Sequence, residues 1–126
     1  MNKGINKTIL LGNVTSDIEF STFENDKKRA SFNFVTNEIS YSQNGKYEHS
    51  EFHKVVAWGG LAEMISKNFF KGIPAYIEGK VRTRIWETKG GKKYITEIIA
   101  DTVVMLPNKG KNTPQVEELN DTDLPF

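Results

Sequence analysis

The residues best suited to chemistry in this chain are aromatics and cations at alternating positions. In Phe52-His53-Lys54-Val55-Val56-Ala57-Trp58, strand alternation places Phe52, Lys54, Val56 and Trp58 on one face. His53, Val55 and Ala57 fall on the other, which is small and apolar as a tight interior requires. The segment Ala75–Trp86 repeats the device. Its apolar face is Ala75, Ile77, Val81 and Ile85, and its other face carries Lys80, Arg82, Arg84 and Trp86. Exposed rings are unfavourable unless something covers them. Single-stranded nucleic acid does so, with bases stacking on the rings while phosphates meet the cations. Packing under a loop or at a subunit contact explains one such tryptophan better than stacking does; two strands patterned alike favour stacking.

Catalysis has few candidate groups. His49 and His53 are the only histidines, and no Glu/His spacing suits a metal. The absence of cysteine removes disulfides and thiolate metal sites. Gly59-Gly60 and Gly90-Gly91 are isolated pairs without the Lys-Ser/Thr that completes a phosphate loop. The glutamates read as solvated strand positions. The expectation is a binding protein with no catalytic residue, no metal and no cofactor.

A chain of 126 residues holds one domain and a short tail. An apolar fraction of 37% suits a small barrel or sandwich better than a thick-cored enzyme. No apolar run approaches the ~18 residues of a membrane span, and the N-terminus lacks a signal-peptide pattern. These features predict a soluble, intracellular, cytoplasmic protein. The net charge of +1 conceals an asymmetry: residues 1–111 hold all 17 Lys and Arg with 12 acids, a balance of +5. Residues 112–126 hold Glu117, Glu118, Asp121 and Asp123 and no base, a balance of −4.

The elements that must position the aromatic faces are mostly strands. Extended segments are expected at Lys3–Val14, Ile18–Phe23 (short, closed by Asn25-Asp26-Lys27-Lys28), Arg29–Ile39, Glu51–Trp58, Ala75–Trp86 and Tyr94–Leu106. Asn44-Gly45 marks one hairpin tip and Lys89-Gly90-Gly91-Lys92 another turn. Leu61, Met64, Ile65 and Phe69 fall at helical spacing, with Gly72 and Pro74 as stop signals. The long strands thus run three, then a helix, then two. That order predicts an all-β fold, a five-stranded oligonucleotide/oligosaccharide-binding (OB-fold) barrel with one helix between strands 3 and 4. The barrel domain is placed at 1–106, and 107–126 is expected to be a disordered linker, too poor in apolar residues to offset the entropy of ordering. It ends in Asp121-Thr122-Asp123-Leu124-Pro125-Phe126, an apolar tip on an acidic lead. Such a tip, with its terminal carboxylate, suits a basic, apolar pocket on another protein.

These residues resemble the bacterial-type single-stranded DNA-binding protein (SSB) family. Gly4-Ile5-Asn6-Lys7-Thr8-Ile9-Leu10-Leu11-Gly12-Asn13-Val14 is similar to the family's first strand. Phe52 to Gly59 with Leu61-Ala62-Glu63 resembles its third strand and helix start. Lys71-Gly72 with Tyr76 to Arg84 and Trp86 resembles its fourth strand, and Asp121–Phe126 its acidic terminus. The resemblance implies a homotetramer that wraps single-stranded DNA without sequence preference and serves replication, recombination and repair in the cytoplasm, associated with the nucleoid. It implies stacking by Phe52, Trp58 and Trp86, and basic DNA contacts from Lys7, Lys54, Arg82 and Arg84. His53 and Tyr76 match positions near subunit contacts. Asp121, Thr122, Asp123, Leu124, Pro125 and Phe126 would dock replication, recombination and repair proteins. Two features depart from the family: Ser40 stands where an aromatic is usual, so either Tyr41 beside it substitutes as a stacking ring after a one-residue shift or the fourth platform is missing, and the linker is short. The rival readings are a barrel of the same fold that prefers RNA or serves as a primosome-like factor, and, more remotely, an enzyme.

Overall fold

The computed structural model describes residues 2–107; Met1 and residues 108–126, with the expected linker and Asp121–Phe126 tip, lie outside the described residues. The chain forms β1 (Thr8–Val14), β2 (Glu19–Thr22), β3 (Lys28–Ser42), β4 (Gly45–Trp58), α1 (Gly59–Asn68), β5 (Pro74–Thr88) and β6 (Gly91–Met105). The expected hairpin tips fall where Asn44-Gly45 and Gly90-Gly91 stand, and β-branched and aromatic residues fill the strands between. The first strand is shorter than its composition suggests, because residues 2–7 make no ladder.

The strand order is β1-β5-β6-β4-β3-β2, and β1 also pairs with β3, so five strands close on themselves and β2 rides on β3 outside the ring. Closure happens over two residue pairs, Asn13↔Val35 and Val14↔Phe34, while the same Asn13 pairs with Pro74 of β5. The ring shuts on the β4 side through a parallel contact, Val55↔Ile98 and Val56↔Ile99. Parallel neighbours need a long crossover, and α1 with β5 supplies it. This is the five-stranded barrel with one helix that the element order predicts.

The interior is filled by the alternate residues of each strand, among them Val14, Phe32, Phe34, Val55 and Ile77, each at most 2% exposed. Burying each such side chain stabilises by about 1.5–3 kcal/mol relative to leaving it in water. Helix α1 plugs one end. Its Ala62 and Ile65 are fully buried, and Phe69 just beyond it packs 5.8 Å from the Phe32 ring. Lys28 of β3 reaches Glu63 of α1 at 2.9 Å, a half-exposed tie between the helix and the barrel that contributes little energy.

Two hairpins outgrow the barrel. The β3–β4 ladder continues to Ser42↔Gly45 and the β5–β6 ladder to Thr88↔Gly91. The second leaves the wall at a register shift between Glu78 and Gly79, where a Cβ on Gly79 would lie 2.2 Å from the Ile99 carbonyl. A bulge of this kind bends and twists the pair away from the wall. Val81 and Ile85, expected from their alternation to continue the core face, are therefore 40% and 57% exposed.

Candidate nucleic-acid interface

Cross-strand register assembles the outer surface. On β3 and β4, Arg29 stands opposite Trp58, Ser31 opposite Val56, Asn33 opposite Lys54 and Val35 opposite Phe52. The β4–β6 contact brings Ile99 beside Val56, and β5 adds Lys80 opposite Ile99 and Arg82 opposite Glu97. The basic-aromatic faces of β4 and β5, far apart in sequence, thus join through β6 into one surface.

A groove of about 450 Å³ runs along it. Phe23 and Trp58 form one side, Arg29, Arg82 and Arg84 supply positive charge, and Val56, Ile99 and Glu97 make the floor. The Trp58 ring has its own escort: Phe23 at 6.0 Å between centroids, the Lys27 ammonium at 5.2 Å and the Arg29 guanidinium at 5.8 Å. Trp86 lies further out on the β5–β6 arm, opposite Lys93, with the Arg84 guanidinium 5.7 Å from its ring. Cations over aromatic faces attract the ring quadrupole and hold the indoles in place. Trp58 and Trp86 still present 38% and 43% of their surfaces to solvent.

Glu97 corrects the reading of the glutamates as solvated. It is 2% exposed, and it accepts from Arg84 Nε at 3.1 Å and Nη2 at 2.9 Å. Arg29 Nη2 lies 3.7 Å from the same carboxylate. The hydrogen bond and charge of Glu97 raise the Arg84 pKa above its ordinary value.

The remaining sequence-predicted residues are dispersed. Phe52 is 69% exposed on the outer face of β4 toward its arm. Lys54 lines a smaller recess of about 270 Å³ with Ser16, Asp17 and Asn33. Tyr41 is exposed near the hairpin tip, opposite Lys46. It stands six ladder steps beyond the Val35–Phe52 pair, about 20 Å at strand spacing, and the structure does not bring it to the groove. His53 turns to the other face of β4, where its Nε2 lies 3.0 Å from the Thr36 hydroxyl.

Lys7 is also outside the groove lining. Its ammonium is 2.9 Å from Glu78, and the Tyr76 hydroxyl donates to the same carboxylate. The tyrosine contact first, and the Lys7 contact second, hold the Glu78 carboxyl below the usual carboxylate range, while Tyr76 and Lys7 are both raised. A carboxyl whose folded pKa is depressed adds stability above its unfolded pKa and loses it as pH falls through the folded value. Glu78→Gln is therefore expected to flatten the acid limb of the stability curve. Thermal melts from about pH 3 to 7 measure this, and an unchanged acid limb would refute it.

Phe23, Lys27, Arg29 and Glu97 escaped the sequence reading. Lys27 and Arg29 are out of phase with the buried Ala30 and Phe32, so their direction away from the barrel interior was legible. Their neighbours were not, because those come from other strands. Glu97 carried no signal apart from being an acid that precedes the apolar pair Ile98-Ile99.

Residues 5–106 match the single-strand binding protein family model. A curated relative named single-stranded DNA-binding protein, from Bacteroides thetaiotaomicron, is 41% identical over 113 residues, covering 86% of this chain and 70% of the relative. Single-stranded DNA-binding protein 1 of Chlorobaculum tepidum is 37% identical over 112 residues, covering 86% and 69%. Among solved structures, the Plasmodium falciparum SSB complex with ssDNA superposes with a TM-score of 0.78 at 28% identity, covering 85% of this chain and 99% of that one. A deletion mutant of the single-stranded DNA binding protein from Thermus aquaticus gives 0.76 at 25% identity, covering 87% of this chain and 54% of that one.

Proposed function

The chain belongs to the single-strand binding protein family, and from that premise we propose that it coats single-stranded DNA without regard to sequence. The family is one of DNA-binding proteins rather than enzymes. The observation that carries the proposal is the groove in which Trp58 stands with Arg29, Arg82 and Arg84, continued by Trp86 on the arm. Every base has a π-face and every nucleotide a phosphate, so rings and cations in series bind a strand whatever its sequence. Phe52, Trp58 and Trp86 serve as stacking platforms; Lys54, Arg82 and Arg84 lie along the strand's path, with Lys7 and Tyr41 at its periphery. Four copies assemble through surfaces that include His53 and Tyr76. The coated strand is an intermediate of replication, recombination and repair in the cytoplasm. The acidic tip Asp121–Phe126 recruits the enzymes that process it, a role that rests on the sequence of the tip alone.

The test uses the full chain. Tryptophan fluorescence is titrated with oligo(dT), oligo(rU) and a duplex of equal length, and light scattering counts the subunits. The expected result is preference for oligo(dT), binding that weakens with salt, and a tetramer. Duplex binding equal to oligo(dT) binding would refute single-strand coating. Deleting Leu124–Phe126 is expected to leave oligo(dT) binding intact and abolish capture of partner enzymes; loss of DNA binding would refute this division of labour.

A further inference from the structure

Glu97 is the one acid in the groove lining and is almost wholly buried. A negative charge beneath a surface that takes a polyanion opposes binding, and buried ion pairs are weak evidence for stability. Its effect on its neighbours is specific. One carboxylate holds the Nε–Nη2 edge of Arg84 at 3.1 and 2.9 Å and lies 3.7 Å from Arg29. Arg84 in turn sits over the Trp86 ring at 5.7 Å, and Arg29 over the Trp58 ring at 5.8 Å. A single buried group therefore lies against one cation beside each of the chain's two tryptophans, Lys27 being a second at Trp58. Arg82, opposite Glu97 in the ladder, has no ion pair among the described residues.

We propose that Glu97 is a positioning residue for single-strand binding, an internal counter-ion that holds Arg84 as the stacking partner of Trp86, draws on Arg29 beside Trp58, and withholds one positive charge from phosphates. Arg82 is then the groove's phosphate-facing cation. The inference rests on the reading of the groove as a single-strand site and adds how its charge is apportioned. A guanidinium already neutralised by a buried carboxylate displaces few counterions from DNA, so binding leans on stacking and its salt dependence is shallower than the count of arginines suggests.

The experiment is a salt series of oligo(dT) titrations on the full chain, comparing wild type with E97Q, R82Q and R84Q. Glutamine keeps the shape and an acceptor at position 97 and removes the charge. E97Q is expected to steepen the slope of log K against log salt by about 0.7, for the one positive charge released. It is also expected to bind several-fold tighter at low salt and to quench less tryptophan fluorescence at saturation. A purely structural Glu97 lowers the melting temperature and leaves the slope unchanged, and that outcome overturns the proposal. Where E97Q does not fold, the arginines decide. R82Q is expected to flatten the slope by about 0.7, and R84Q to lower affinity along a line parallel to wild type. Equal flattening by both overturns the proposal. Absence of oligo(dT) binding by the wild type overturns the groove reading and this inference with it; wild-type binding with an unchanged E97Q slope overturns this inference alone.

Discussion

Replacing Trp86 by alanine is expected to weaken oligo(dT) binding by about 1–3 kcal/mol per base unstacked, a range that comes from alanine substitution in proteins of this same class. That is roughly 5- to 150-fold in affinity for one ring. The ring lies on an arm outside the core, touched by Arg84, so its removal leaves the barrel intact and thermal stability near wild type. Trp58→Ala is expected to lower affinity comparably and stability as well, because Trp58 also packs against Phe23 beneath Lys27 and Arg29. The chain contains two tryptophans, so each single variant reports on the other ring by fluorescence. Binding by both variants as tight as wild type, at matched salt, would sink the stacking mechanism while leaving the fold untouched.

The second large effect concerns stability. Gly12 lies within β1 where that strand leaves β5 to meet β3, and a Cβ there would stand 1.9 Å from the Val35 carbonyl oxygen. That neighbour is backbone, so no rotamer change relieves the clash; β1 and β3 must separate at the seam that closes the barrel. Gly12→Ala is expected to cost about 3 kcal/mol or more in urea unfolding, at the upper end for overpacking. Gly60→Ala is the control. No atom lies within 4 Å of a Cβ at Gly60, and alanine there favours α1 by about 0.5–1 kcal/mol. Opposite signs for the two substitutions would place the effect in the seam. A Gly12→Ala protein as stable as wild type would mean that the seam can open without loss.

Much of this architecture was legible residue by residue. The alternation of Phe32 and Phe34 against Ser31 and Asn33, the hairpin at Asn44-Gly45 and the helical spacing of Leu61, Ile65 and Phe69 all correspond to observed elements. The limits of that reading are equally particular. Val81 and Ile85 alternate like core residues, yet the turn away at Gly79 carries them beyond any layer that could cover them. Gly12 reads as the end of a strand, and only the approach of Val35 shows that it is the point of closure. Glu97 reads as solvated, and only register places it between Arg84 and Arg29.

What the sequence determines by itself is the type and order of the elements, the turns between them and the local alternation of faces within each, because a period of two or 3.6 and the backbone demands of turns are properties of neighbouring residues. What the tertiary structure decides is which faces meet. Two basic-aromatic strands become one groove only because β6 runs parallel to β4 and antiparallel to β5, and because β1 closes the ring from both sides. Registers of this kind are set by packing across the whole barrel, and a slip of one residue would turn every inward side chain outward. The pairing of Glu97 with two arginines is of the same kind: its charge is written in the chain, and its partners exist only in the closed barrel.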